Sequence, residues 1–149
     1  MAIFNGHYAA ASFLVDSKAD VNKTDAQRFT PLFWAVDRRN METAPSFPWM
    51  VTIDPMPLIR KLLDAGANPN ALVNNTPRGR MREGSPWIVF ATALMRAAFA
   101  GDLELVKLLL ERGAEVKARD NRGKTALAMA IEGGHKETEQ LLRKAGAAQ

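Results

Sequence analysis

Apolar residues recur at helical spacing in several short segments of the chain. In one segment, apolar side chains follow each other at intervals of three or four residues: Leu103, Val106, Leu109 and Leu110. This spacing puts the apolar side chains on one face of an α-helix, with charged residues between them on the other face. A shorter run rich in alanine and leucine precedes this segment, and a glycine follows it. The pattern predicts short amphipathic helices arranged in pairs.

Two signals recur along the chain. The first is a start of the form Thr-Pro/Ala-Leu, found in the segments 30–36, 92–98 and 125–131. The second is a leucine pair followed within five residues by a glycine, found in 62–70, 109–117 and 141–147, with a degenerate form at 14–22. Thr92 and Thr125 are 33 residues apart, and so are Gly113 and Gly146. The chain therefore carries an internal repeat with a period of 33 residues.

The two signals and their spacing resemble the ankyrin repeat, whose period is about 33 residues. The segment 101–114, Gly-Asp-Leu-Glu-Leu-Val-Lys-Leu-Leu-Leu-Glu-Arg-Gly-Ala, is a close match to the second half of that repeat. The resemblance covers nearly the whole chain apart from two insertions. It implies an all-α solenoid of about 3.5 helix-turn-helix repeats, with β-hairpin-like fingers and two long loop insertions.

Local signals place the ends of the helices. The hydroxyls of Thr30, Thr92 and Thr125 are suited to cap the first helix of a repeat, and Pro31 fits the first helical position. Three glycines stand where the second helix must end in a left-handed residue: Gly66, Gly113 and Gly146. One such unit cannot bury its own apolar face, so the stacking of neighbouring units supplies the core.

The first insertion covers about 43–56, between the two helices of one repeat. It contains Pro45, Pro48 and Pro55 together with Phe47 and Trp49. Prolines at this density exclude a regular helix. We expect an ordered loop that packs its apolar residues onto the stack, after which Pro57 starts the second helix. The alternative is an exposed contact patch.

The second insertion covers about 73–88 and lengthens a finger. It carries Arg78, Arg80 and Arg82, which alternate along the chain. An extended strand would present them on one side, where they could donate bidentate hydrogen bonds to carboxylates or phosphates. The alternative is a solvated, charged loop tip.

The spacings divide one ankyrin-repeat domain, 1–149, into four units. They are a partial first repeat at 1–24, a repeat with the inter-helix insertion at 25–71, a repeat with the extended finger at 72–118 and a C-terminal capping repeat at 119–149. In the last unit Lys136, Thr138 and Glu139 replace apolar residues of the preceding copy, as a solvent-facing terminal repeat requires. The first unit has no such polar face, so we expect further repeats before Met1. The alternative is a tolerated half-repeat whose apolar surface lies against a second copy.

Composition narrows the classes of function. Of the 149 residues 47% are hydrophobic. None is cysteine, so disulfides, thiolate metal sites and cysteine nucleophiles are excluded. The net charge of +4 is too small by itself to demand nucleic acid. No apolar run reaches the ~18 residues of a membrane span. The absence of cysteine fits the cytosol and the periplasm alike.

Few residues are suited to catalysis. His7 and His135 each follow a glycine at the same joint of the repeat, where the resemblance implies a structural hydrogen bond around the interhelical turn. No catalytic, cofactor-binding or metal-binding residue is therefore predicted. Arg96 stands where the family usually has an apolar residue. We expect its stem to pack while its head reaches water or a neighbouring acid, the alternative being a partner contact.

The resemblance implies a protein-binding module without catalysis of its own, because partners of ankyrin repeats commonly dock on the concave surface of fingers and first helices. The candidate partner-binding residues are Phe29, Asp37, Arg38, Arg78, Arg80, Arg82, Phe99, Asn121, Arg122 and Lys124. Phe29 and Phe99 are apolar where a surface residue is expected, so both are candidate anchors. Asp25 and Asp120 open the fingers and are expected to form turns.

The charge distribution favours an acidic partner surface. Residues 1–71 are neutral, whereas 72–91 and 92–149 each carry a charge of +2. Two other functions remain open: binding of a phosphate-rich or nucleic-acid ligand by the arginine-rich finger, and a structural spacer in a larger protein. Association with a second copy through the N-terminal end is a further option.

Overall fold

The computed structural model describes residues 2–3, 6–26, 28–41, 54–73 and 92–146. Within these ranges the chain forms seven α-helices and no strand, so the predicted all-α architecture is confirmed. In chain order the helices are α1 (Tyr8–Asp16), α2 (Pro31–Met41), α3 (Met56–Asp64), α4 (Ala93–Ala100), α5 (Leu103–Glu111), α6 (Ala126–Glu132) and α7 (Lys136–Lys144).

The helices alternate between two layers. The inner layer consists of α2, α4 and α6, with α4 packed between the other two. Each inner helix also packs against the helix that follows it in the chain, namely α3, α5 or α7. In the outer layer α1 contacts α3, and α5 contacts α7. An inner helix and the outer helix after it therefore make one repeat unit of the stack.

A threonine caps each inner helix. The side-chain oxygen accepts the backbone N–H three residues further on, at 3.1–3.3 Å, in Thr30, Thr92 and Thr125. Such a cap typically contributes ~1 kcal/mol of stability. Pro31 occupies the first position of α2, where its missing N–H leaves no helical hydrogen bond unmade. The predicted starts of the inner helices are confirmed.

The ends of the helices depend on glycine. Gly66, Gly113 and Gly146 have φ of 89°, 83° and 92°, the left-handed conformation predicted for them. Gly101 ends α4 in the same way, with φ of 70°. At the corresponding position α2 has Arg39, so no glycine stops the helix there and it continues to Met41.

The core lies between the two layers. Each inner helix contributes the leucine that stands two residues after its capping threonine, and a fully buried alanine. These residues are Leu32, Leu94, Leu127, Ala35, Ala97 and Ala130. The outer helices contribute Ile59, Leu62, Leu105, Leu109 and Leu142. Because an alanine side chain is small, the inner helices can lie close together.

Two asparagines connect successive units through their fingers. Asn22 Nδ2 donates to the carbonyl of Gly66 at 3.0 Å, and its Oδ1 accepts the N–H of Asn68 at 2.7 Å. Asn70 repeats the pattern with the carbonyl of Gly113 at 3.0 Å and the N–H of Glu115 at 2.8 Å. Each asparagine thus binds the turn that ends the next outer helix.

The structure tests the insertions only at their edges. Residues 43–53 and 74–88 lie outside the described ranges, so the predictions made for them stay predictions. The helix after the first insertion begins at Met56, one residue before the expected Pro57. Met56 is buried, and it belongs to α3 rather than to the insertion. In the part of the chain that the structure describes, every helix is too short or too polar to cross a membrane.

Candidate partner-binding surface

The last two units carry five side chains of interest in the last finger and near the ends of the inner helices α4 and α6. Phe99 ends α4, Asn121, Arg122 and Lys124 lie in the finger before α6, and Glu132 ends α6. The finger is joined to α6 because Lys124 Nζ forms an ion pair with Glu132 Oε1. α6 in turn packs against α4. We call these five residues the finger surface.

A buried carboxylate builds this finger. Asp120 Oδ1 accepts the backbone N–H of Arg122 at 2.9 Å and of Lys124 at 2.8 Å. Its Oδ2 accepts from the Arg122 guanidinium at 3.3 Å. The backbone N–H of Asp120 donates to the carbonyl of Lys124 at 2.9 Å, which closes the turn. The predicted turn-forming role of Asp120 is confirmed, and its hydrogen bonds close the tip of the finger.

The finger surface combines different chemical groups. Asn121 and Arg122 are exposed, Lys124 is half-buried and Glu132 is exposed. Phe99 is half-buried and packs against the core. His135 Nε2 lies 3.0 Å from the Phe99 carbonyl and holds the end of α4 against the joint before α7. The structural role predicted for His135 is confirmed.

Phe29 is a core residue rather than a surface anchor, so the expectation of exposure was wrong. Its side chain is 2% exposed. The ring centroid lies 5.3 Å from that of Phe33 and 4.7 Å from that of Trp34. The indole N–H of Trp34 donates to Asp25 Oδ2 at 2.8 Å, while Asp25 Oδ1 accepts the N–H of Phe29 at 2.9 Å. The turn formed by Asp25 therefore holds Phe29 inside an aromatic cluster.

Asp37 and Arg38 are also buried, contrary to the expectation that they face a partner. Asp37 Oδ1 accepts from Arg96 Nε at 2.8 Å, and the two side chains are 6% and 8% exposed. The prediction that Arg96 packs its stem and reaches a neighbouring acid is confirmed. Burying either charge alone would be costly, but in the ion pair each charge compensates the other. Asp37 and Arg96 therefore connect α2 to α4 inside the stack.

Arg78, Arg80 and Arg82 lie outside the described residues. The same holds for Phe47 and Trp49 of the first insertion. Of the candidate residues, the finger surface contains Phe99 from the third unit and Asn121, Arg122 and Lys124 from the last unit. Glu132 was not among the candidates.

Sequence reasoning missed a charged cluster around Arg39. Arg39 Nε donates to Asp102 Oδ2 at 2.6 Å, Nη2 donates to Glu104 Oε2 at 3.2 Å, and Nη1 donates to Asp54 Oδ1. Burial by itself lowers the pKa of Arg39, but hydrogen bonds and charges from Asp102 and Asp54 outweigh it and raise that pKa above its usual value. The sequence does carry a signal for this cluster. Arg39 stands nine residues after the capping threonine, where the later units have Gly101 and Gly134.

The described residues offer little for metal chemistry. No three histidine, aspartate or glutamate side chains among them come together as a metal ion would require.

Comparison with known proteins identifies the fold family. A family described as Ankyrin repeats (3 copies) matches residues 51–149, and one described as Ankyrin repeats (many copies) matches residues 1–45. The chain therefore belongs to the ankyrin-repeat family, and the predicted ankyrin-repeat solenoid is confirmed. Ankyrin repeats generally mediate protein–protein interaction.

Relatives share parts of this chain. It is 27% identical over 137 residues to the Transient receptor potential cation channel subfamily A member 1 homolog of Caenorhabditis elegans, covering 92% of this chain and 9% of that protein. It is 43% identical over 63 residues to human Ankyrin repeat domain-containing protein 63, covering 42% of this chain and 16% of that protein. It is 31% identical over 127 residues to the Ankyrin repeat and KH domain-containing protein mask of Drosophila melanogaster, covering 85% of this chain and 2% of that protein. The chain spans less than a fifth of the length of each.

Proposed function

We propose that this chain is a non-catalytic module that binds a protein partner on the finger surface. The observation that supports this most is the ordered finger of the last unit. Asp120 fixes its backbone, Asn121 is exposed at the tip, and the exposed Arg122 bonds its guanidinium to Asp120. A tip ordered in advance loses little entropy when a partner docks. Phe99 adds an apolar group beside it, as interface centres commonly have.

The partner is proposed to present an acidic surface. The finger between Glu115 and Lys124 carries four basic residues: Lys117, Arg119, Arg122 and Lys124. Its acidic residues are Glu115, which is exposed, and Asp120, whose side chain is buried. Glu132, which pairs with Lys124, adds a third acidic residue, and Arg122 is paired with Asp120. Four basic residues against three acidic ones leave a small positive excess, which an acidic protein surface would complement electrostatically.

Affinity capture from the source cells tests this proposal. Arg122→Glu changes the charge at the finger by −2, and Lys136→Glu makes the same change on the exposed side of α7 as a matched control. Proteins captured by the original chain should be lost with R122E and retained with K136E. Their capture should also weaken as salt concentration rises, because exposed charge pairs are screened.

Two results would count against the proposal. One is the same set of captured proteins with R122E as with the original chain. The other is capture that disappears after nuclease treatment, which would assign the basic finger to nucleic acid instead.

A further inference from the structure

The inner helices carry nearly the same apolar surface, although each of them has to pack against one particular neighbour. They begin Thr-Pro-Leu, Thr-Ala-Leu and Thr-Ala-Leu, and the leucine two residues after each threonine is 1% exposed. Hydrophobic contact is non-directional, so this shared surface does not distinguish α4 from α6 as the neighbour of α2. Incorrect pairing of similar units, within a chain or between chains, is a characteristic failure of repeat proteins.

Two ion pairs distinguish the junction of α2 with α4. Asp37 Oδ1 accepts from Arg96 Nε at 2.8 Å, and Arg39 Nε donates to Asp102 Oδ2 at 2.6 Å. Counted from the capping threonine, the first pair joins the seventh residue of one unit to the fourth residue of the next. The second pair joins the ninth residue to the tenth. We call these four residues the junction residues.

The junction of α4 with α6 has different residues at the same positions. Phe99 and Met129 are the seventh and fourth residues there, and Gly101 and His135 are the ninth and tenth. The ninth and tenth positions meet at this junction too, because a Cβ on Gly101 would lie 2.3 Å from His135 Nδ1. Met129 is 3% exposed, so its position is buried like that of Arg96, which is 7% exposed. The two junctions therefore share a register but not a chemistry.

We propose that the junction residues fix the order of the units, because they make α4 the accepted neighbour of α2 and exclude α6. With α6 in the place of α4, Met129 would face Asp37 and leave a buried carboxylate without its cation, which is strongly unfavourable. His135 would meet the Arg39 side chain, whereas in its native place it packs on a glycine where any Cβ is too close. The wrong pairing is thus penalised, in addition to the attraction within the right one.

The burial of the first pair supports this role. The side chains of Asp37 and Arg96 are 6% and 8% exposed, so neither charge can turn to solvent in a wrong pairing without opening the layer. Replacing a buried ion pair by apolar residues often costs no stability, and the selection of register is the best-attested use of such groups. An exposed pair, such as Asp64 with Arg112 between α3 and α5, has no comparable effect because solvent screens it.

Exchanging residues between the two junctions tests the proposal at constant composition. In Arg96→Met with Met129→Arg, Asp37 faces an apolar group in the native order, while α6 now offers it an arginine in the wrong order. We expect this double variant of the full chain to unfold at a lower urea concentration than the original chain. Refolded at high protein concentration, it should give at least about tenfold more dimer, because units of two chains can then pair.

Adding Asp37→Phe and Phe99→Asp moves the whole Asp–Arg pair to the junction of α4 with α6. The seventh and fourth residues then match again at both junctions in the native order. This fourfold variant should unfold at a higher urea concentration than R96M/M129R, and its dimer fraction should return toward that of the original chain. The comparison also decides the case in which R96M/M129R does not fold, since two further substitutions would then restore folding.

Two further variants separate the contributions. Arg39→Gly, added to R96M/M129R, removes the side chain that excludes His135 and should raise the dimer fraction of that variant. The control exchanges Asp64 and Arg112, as Asp64→Arg with Arg112→Asp, and should refold to monomer because this pair is exposed. Sedimentation of the refolded proteins measures the dimer fraction in all of them.

Two results would overturn the proposal. One is that R96M/M129R refolds to monomer alone, since the junction residues would then have no part in the choice of neighbour. The other is that the fourfold variant is no more stable than R96M/M129R, since the Asp–Arg pair would then act only in its native surroundings. Neither result bears on the finger surface, because that proposal is tested by the capture of a partner and not by refolding.

Discussion

At the residue scale, the main departure from a regular repeat is the buried pair of Asp37 and Arg96. The two residues are 59 positions apart and belong to neighbouring units. Each charge is favourable inside the protein only because the other compensates it. Asp37, a candidate partner contact in the sequence, therefore acts within the stack, and Arg96 reaches a neighbouring acid as expected.

Removing one member of this pair should destabilise the protein strongly. We expect Arg96→Ala to lower the free energy of unfolding by about 3–5 kcal/mol, because it leaves Asp37 charged and buried. Replacing both residues, as Asp37→Leu with Arg96→Met, should recover most of that loss. Urea denaturation followed by circular dichroism measures both effects.

The control for the buried pair is Arg112→Ala. It breaks the ion pair between Arg112 and Asp64, whose side chains are 33% and 64% exposed. Its cost should stay below about 1 kcal/mol, since solvent screens exposed pairs. If R96A cost no more than R112A, the burial of the Asp37–Arg96 pair would have no energetic consequence.

Two glycines separate backbone strain from side-chain packing. Gly101 and Gly123 have φ of 70° and 76°, so alanine is strained at both. A Cβ at Gly101 would also lie 2.3 Å from His135 Nδ1, whereas at Gly123 it would meet no atom within 4 Å. We expect G101A to lower the melting temperature more than G123A.

A double variant tests the cause of that difference. His135→Ala removes the ring that the new Cβ would meet, so G101A should cost less in an H135A background than in the original chain. If the cost of G101A were the same in both backgrounds, contact with His135 would not explain it.

At the element scale, the features that sequence predicts well are local. Threonine caps, Pro31 at a helix start and left-handed glycines each depend on a few neighbouring residues, and all of them are found as predicted. The Asp37–Arg96 pair and the Arg39 cluster depend on how units stack. Their partners are separated by up to 65 residues, and no local pattern pairs them.

The asparagine contacts between fingers suggest a stabilising substitution. Lys117 occupies the position that Asn22 and Asn70 have in the preceding units. In Lys117→Asn the amide would be placed to donate to the Gly146 carbonyl, as Asn70 does to Gly113. One added hydrogen bond is worth about 0.5–1.5 kcal/mol, so the melting temperature should rise. Asn70→Ala is the matched loss and should lower it; a K117N variant no more stable than the original chain would contradict the comparison.

At the scale of the whole molecule, the stack has a centre and two ends. α4 packs against α2 and α6 as well as α5, and Ala97 and Ala98 are fully buried. At one end Phe13 of α1 is 69% exposed, and at the other Ile131 of α6 is 45% exposed although the equivalent Ala98 is fully buried. Local stability should therefore fall from the centre toward both ends.

Hydrogen exchange measures this gradient. The amides of α4 should exchange most slowly, and those of α1 and α7 fastest, because fewer elements pack against the terminal helices. Uniform protection across all seven helices would mean that the stack opens only as one cooperative unit.

The family and the layered stack were predicted from sequence because each unit repeats the same local signals. Which candidate residues stay accessible was not, since it depends on which side chains the stack buries. Phe29, Asp37 and Arg38 are buried in the stack, whereas Asn121 and Arg122 are exposed at the tip of the last finger.

Site-specific photo-crosslinking tests the central claim most directly. A photoreactive residue is placed at Asn121, on the finger surface, or at Gln140, which is exposed on α7. With a captured partner present, the account predicts a covalent adduct from position 121 and none from position 140. An adduct from position 140 and none from position 121 would contradict it, because the partner would then dock on the outer helices.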